Sequence, residues 1–99
     1  MDTHEFHKLL IKVVDLFLED RIKEFELKLN TTLDELEFEE LIGKPDSSNS
    51  AENNGIFIDE YSYDASENAI KKLFVEYVRQ PEFKYTVLSI KGVNDWVRE

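Results

Sequence analysis

The sequence predicts an all-α domain, a bundle of four to five helices, on three observations. Apolar residues recur at three- and four-residue steps from Phe6 to Leu29. A second stripe of the same kind runs through Ile70, Leu73, Phe74, Tyr77 and Val78. Helix-start signals precede two apolar runs, Thr32 with Glu35 and Asp64 with Glu67. Ninety-nine residues suit one domain, 1–99, with a single modest core.

The first helix spans residues 4–29. Phe6, Leu9, Leu10, Val13, Leu16 and Phe17 make its stripe, which Ile22, Phe25 and Leu29 continue. Asp2 or Thr3 can cap its start. It is one long helix, or it breaks near Glu19–Asp20 with Asp20 capping a second. The next helix covers 33–42, with Thr32 and Glu35 as a capping box and Leu33, Leu36, Phe38 and Leu41 on its apolar side. Gly43 suits a left-handed stop, and Pro45 prevents continuation.

Residues 44–54, "KPDSSNSAENN", are a polar flexible loop, because Ser and Asn side chains compete with backbone pairing. "GIFIDEYSYD" is ambiguous. As a strand it would place Phe57, Asp59, Tyr61 and Tyr63 on one face, mixing acid with aromatics. A short helix or turn with buried Phe57 and Ile58 is the first choice. Residues 66–79 are the clearest helix. The tail from Pro81 reads as a helix with Phe83, Val87, Ile90 and Val97 on one face, although "YTVLSI" is rich in β-formers and Gly92 weakens a helix. The alternative fold is α+β, with short strands near 56–63 and 85–91.

The net charge is −10, and its distribution is uneven. Residues 31–64 hold ten acids and one base, Lys44, and so carry −9 of the total. This disfavours direct binding to nucleic acid or to anionic membranes and favours a basic partner. The acidic N-terminus lacks the basic region of a signal peptide, and no run approaches the roughly 18 apolar residues of a membrane span. With no cysteine, disulfides and thiolate chemistry are excluded. A soluble, uncleaved, cytoplasmic protein is expected.

Catalytic signals are few. His4 and His7 are three apart but have no third ligand, so no metal site is expected. Asp59 to Asp64 lack the glycine and terminal glutamate of a calcium loop. Glu39–Glu40 and Asp59–Glu60 are adjacent, and adjacent helical residues do not face each other. The expectation is a binding protein, with no enzyme activity and no cofactor. Tyr61 and Tyr63 among Asp59, Glu60 and Asp64 offer contact area with polar tips beside carboxylates that accept from Arg or Lys.

The helical stretch "FHKLLIKVVDLFLEDRIKEFELKL" (6–29), the acidic "IFIDEYSYD" (56–64) and the helix after it resemble small bacterial immunity proteins. The colicin D immunity type and the immunity proteins of contact-dependent growth inhibition are the nearest. The resemblance spans roughly two-thirds of the chain. It implies an inhibitor that blocks a basic nuclease toxin by imitating its nucleic acid. The partner-binding role then falls to Asp59, Glu60, Tyr61, Tyr63, Asp64, Glu37, Glu39 and Glu40. Two alternatives stand beside it. One is a DNA mimic, such as a phage protein that blocks a host DNA-binding enzyme, or another inhibitor of a nucleic-acid-binding protein. The other is a self-associating adaptor with exposed aromatics near Trp96. The oligomeric state is left open.

Overall fold

The computed structural model describes residues 3–66 and 69–96. It is a five-stranded antiparallel sheet with two helices on one face, which overturns the all-α expectation. The elements are α1 (Thr3–Leu18), β1 (Phe25–Asp34), α2 (Glu35–Ile42), β2 (Ser47–Asn53), β3 (Ile56–Ser66), β4 (Ala69–Gln80) and β5 (Lys84–Trp96). The strand order is β1-β5-β4-β3-β2, so β1 and β2 are the edges. Strands do lie near 56–63 and 85–91, but they are longer than the alternative reading allowed, and three more accompany them.

α1 buries His7, Leu10, Val14 and Phe17 at helical spacing and leaves Leu9 exposed. Its end is a Schellman motif. The Arg21 N–H bonds the Leu16 carbonyl at 2.8 Å, and the Asp20 N–H bonds the Phe17 carbonyl at 3.2 Å. Asp20 sits at φ 64°, the position that glycine usually takes. It therefore stops the helix and does not cap a second one. The apolar residues beyond it, Phe25, Leu27 and Leu29, alternate along β1 toward the helices. Asp2 lies outside the described residues.

α2 begins two residues later than its expected capping box. Asp34 is the N-cap, accepting from the Glu37 N–H at 2.8 Å, and Glu37 accepts from the Asp34 N–H at 3.0 Å. Leu33 belongs to β1, fully buried, and Leu36 is exposed, while Phe38, Leu41 and Ile42 face the sheet. Gly43, at φ 74°, closes the helix with its N–H on the Glu39 carbonyl.

Seven residues of the expected polar loop form edge strand β2. Asn54 (φ 53°) and Gly55 (φ 83°) make the two-residue turn into β3, both left-handed as a type I′ hairpin requires. Across this hairpin Ser50 stands directly opposite Asp59.

β4 replaces the helix read at 66–79. Lys71, Leu73, Val75 and Tyr77 are buried at a strict period of two. The helical stripe 70, 73, 74, 77, 78 mixes residues from both faces of that strand. Glu67 of the expected capping box lies outside the described residues, and the Asp64 backbone is paired with Ile70. β5 replaces the helix expected from Pro81. Val87 and Ile90, three apart, are both fully buried because the pairing shifts there: Glu76 faces Ser89, and Tyr77 faces Val87. The bulge turns a helix-like spacing into one strand face. Gly92 is needed on that face, since a Cβ there would lie 2.5 Å from the Phe25 ring. The aromatic adaptor seam was placed near Trp96, whose side chain lies outside the described ones.

The core fills the space between the helices and the inward side of the sheet, with Phe17, Leu33, Leu41, Leu73, Val75, Val87 and Ile90 all 2% exposed or less.

Candidate functional site

Among the described residues one acid of the inward face is buried, and the sheet builds a site around it. Asp59 is 8% exposed, although the sequence reading placed it on the surface. The Ser50 hydroxyl donates to its Oδ1 at 2.6 Å. The Tyr61 hydroxyl donates to Oδ2 at 2.6 Å, and the Tyr77 hydroxyl donates to the same oxygen at 2.9 Å. A carboxylate offers about four acceptor positions. Three are taken by neutral hydroxyls, from Ser50, Tyr61 and Tyr77.

Burial pushes the Tyr61 hydroxyl well above the ordinary tyrosine value, and its bond to Asp59 adds to the shift. Burial, then the Asp59 bond, pushes Tyr77 up to about 12. Both hydroxyls thus stay protonated and donating across the neutral range.

Beside this network, between α2 and the sheet, lies a cavity of about 300 Å³. Its walls are aromatic. Phe38 packs on Tyr85 at 4.7 Å and on Tyr77 at 5.1 Å between ring centroids, and Tyr77 meets Tyr85 edge-on at 5.5 Å. Glu35 and Glu39, one turn apart on α2, line it from above, and Asp59 and Tyr61 line its sheet side. Arg79 is the single base of the lining, its guanidinium stacked 4.3 Å over the Phe57 ring. A second groove shares Glu35, Arg79 and Tyr85 and continues to Phe83. Phe83 is 75% exposed at the β4–β5 turn, where it and Glu82 both have positive φ.

The expected docking residues do not form one surface. Tyr63 is buried and donates its hydroxyl to the Ile42 carbonyl, tying β3 to the end of α2. Tyr61 is half-buried in the cavity wall. Glu60 points to the opposite, helix-free face of the sheet, because its neighbours Asp59 and Tyr61 point inward. The Asp64 side chain lies outside the described residues. Glu37, Glu39 and Glu40 are together on α2, where Glu37 serves the cap. Sequence reasoning missed Glu35, Tyr77, Arg79 and Tyr85. The strand alternation of "FIDEYSYD" was the available signal, since it sets Asp59 among the aromatic residues of one face.

Two other polar groups lie under the helices. Lys71, fully buried, donates to Asp20 and, at 2.8 Å, to the Asn94 side chain, with Phe17 beneath its ammonium. His7 is 3% exposed, with neither ring nitrogen hydrogen-bonded, and its Nε2 is 3.5 Å from Glu40. Among the described residues no cluster of His, Cys, Asp and Glu could hold a metal ion.

The model of a family described as a protein of unknown function, DUF1374, matches residues 5–95. The chain belongs to the DUF1374 family. Uncharacterized protein 14 of Sulfolobus islandicus filamentous virus is 36% identical over 81 residues, 80% of this chain and 71% of that protein. Among solved structures, the thermo- and acido-stable ORF-99 from the archaeal virus AFV1 is 98% identical. It superposes with a TM-score of 0.96 over 99% of this chain and 100% of that one. ORF14 from Sulfolobus islandicus filamentous virus is 31% identical, with a TM-score of 0.82 over 90% and 83%. DUF1374 relatives are therefore proteins of archaeal viruses, which corrects the likeness to bacterial immunity proteins. That likeness rested on a helix over 6–29 and another after residue 64. The first stops at Leu18 and ends in β1, and the second is β4.

Proposed function

We propose that this protein binds a basic, nucleic-acid-binding host protein through the acidic face of α2 and occupies the place of its nucleic acid. One observation carries the reading. α2 bears Glu35, Glu37, Glu39 and Glu40 and no base within eight residues. Glu37 is taken up by the cap, and the other three over eight residues of about 1.5 Å rise give one negative charge per about 4 Å of axis. A DNA strand carries one per about 3.4 Å. The three carboxylates at 35, 39 and 40 are exposed. A viral lineage of relatives supports a host target over a toxin, and the net charge of −10 favours a basic one. The reading assigns the protein no chemistry of its own.

The test is affinity capture from an archaeal host lysate, followed by challenge with duplex DNA. A basic nucleic-acid-binding protein should be retained, displaced by DNA, and lost from the Glu35→Gln/Glu39→Gln/Glu40→Gln variant. Retention that is indifferent to both DNA and the triple variant would rule the reading out.

A further inference from the structure

We infer that the cavity between α2 and the sheet is a receptor for an arginine side chain of the partner. The inference rests on α2 being the partner-facing surface, and it names the group that anchors there.

Charge is the first argument. Three carboxylates, Glu35, Glu39 and Asp59, line the cavity against one guanidinium, Arg79. Arg79 stacks over Phe57 and bonds the Tyr77 hydroxyl, so its charge offsets one carboxylate and leaves two. Asp59 is buried and retains about one unused acceptor position after its three hydroxyl donors. Arg79 reaches Asp59 only through the Tyr77 hydroxyl, and a cation in direct contact would further lower the cost of burying this carboxylate.

Shape is the second argument. The walls include the rings of Phe38, Tyr77 and Tyr85, which pack on one another at 4.7 to 5.5 Å between centroids and line the cavity together. A guanidinium is flat, stacks on aromatic faces and sheds water more easily than an ammonium. Its forked donors match carboxylates on two sides, here the α2 pair and Asp59. A volume of about 300 Å³ admits one such side chain with water and excludes a folded element.

Position is the third argument. The cavity shares Glu35, Arg79 and Tyr85 with the groove that ends at exposed Phe83. A central pocket for a long charged anchor, with an exposed aromatic at its rim, is how binding energy concentrates in protein interfaces. Phe83 sits at positive φ in the β4–β5 turn with its ring largely exposed.

The experiment is a titration of the full-length protein with N-acetyl-arginine amide, followed by two-dimensional NMR. The matched lysine and citrulline amides are run beside it. Arginine should produce saturable shifts at Phe38, Tyr61, Tyr77 and Tyr85. Lysine should bind more weakly, and citrulline, which has the shape without the charge, should leave those residues unmoved. The Glu35→Gln/Glu39→Gln variant, both sites exposed, should keep its spectrum and bind arginine about three- to tenfold more weakly. Equal shifts from citrulline, or arginine shifts confined to other acidic positions, would overturn the pocket. If arginine binding fails while capture still depends on Glu35, Glu39 and Glu40, the pocket falls and the acidic face remains. If arginine binds as described but no nucleic-acid-binding protein is captured, the pocket stands and the partner class falls.

Discussion

Two charged side chains occupy inward positions of the same sheet, and they are resolved in opposite ways. Lys71 is closed. It meets a carboxylate from the α1 terminus, an amide from β5 and an aromatic ring, and its exposure is nil. Asp59 is open. Its hydrogen-bond donors are all neutral hydroxyls, and it borders a cavity that other carboxylates overlook. A buried charge with a built-in counter-charge is a structural element. A buried charge left with polar bonds alone, facing space, is what a binding site requires. The backbone agrees with this division. Asp20 takes the left-handed C′ position so that its carboxylate reaches Lys71, where glycine would have ended the helix at less strain.

The largest effect should come from breaking the closed pair. Asp20→Ala leaves a fully buried ammonium without its carboxylate and puts Ala at positive φ, so unfolding free energy should fall by about 3 kcal/mol. Adding Lys71→Met should restore most of it, since an apolar chain of similar length suits that site. Denaturant titration reads both. A loss under about 1 kcal/mol for Asp20→Ala would mean that Lys71 is not held by charge.

Asp59→Ala comes next. It strands the buried Tyr77 hydroxyl and the half-buried Tyr61 hydroxyl, at about 2 kcal/mol. Asp59→Asn keeps acceptors for them and should cost less than half of that. Arginine binding should nevertheless weaken in Asp59→Asn, which separates the structural use of the side chain from the use of its charge. His7→Leu should be smaller and of opposite sign, a gain of up to about 1 kcal/mol, because both ring nitrogens are buried without hydrogen bonds.

The smallest effect is a pH dependence. The fold raises Tyr61, Tyr63 and Tyr77 above the ordinary value of 10.0, chiefly by burial. A raised hydroxyl favours the protonated native state, so its contribution is whole below pH 10 and declines as pH rises through about 12. Thermal midpoints should thus fall with added base above pH 10. Tyr77→Phe should flatten that fall in proportion to its share. A midpoint unchanged between pH 10 and 12 would contradict the burial of these hydroxyls.

The sequence disclosed the helices better than the sheet, and the reasons are local. α1 was legible because its stripe is long, and α2 because acids, an apolar side and Gly43 punctuate it. β4 was not, because Ile70, Phe74 and Val78 on the outer face fill in a helical stripe with Leu73 and Tyr77 of the inner one. Lys71, at an inward position, hid the alternation further. In β5 the bulge between Val87 and Ile90 imitated a helical step. β2 has almost no β-forming side chains and is held by its partner strand. Even so, Asn54-Gly55 was a readable hairpin signal. The acidic middle third was correctly counted, but its acids are dealt to different places: Asp59 inside, Glu60 on the far face, and Glu35, Glu39 and Glu40 on α2. Burial of Asp59 depends on hydroxyls from β2, β3 and β4, which no local window contains.

The most direct test of the contrast between the open and the closed charge is a crystal structure grown with millimolar guanidinium. One planar cation should lie in the cavity against the Phe38, Tyr77 or Tyr85 ring, within hydrogen-bond distance of Glu35, Glu39 or Asp59, and none at Lys71. A cavity holding only water, with guanidinium bound elsewhere on the surface, would contradict it.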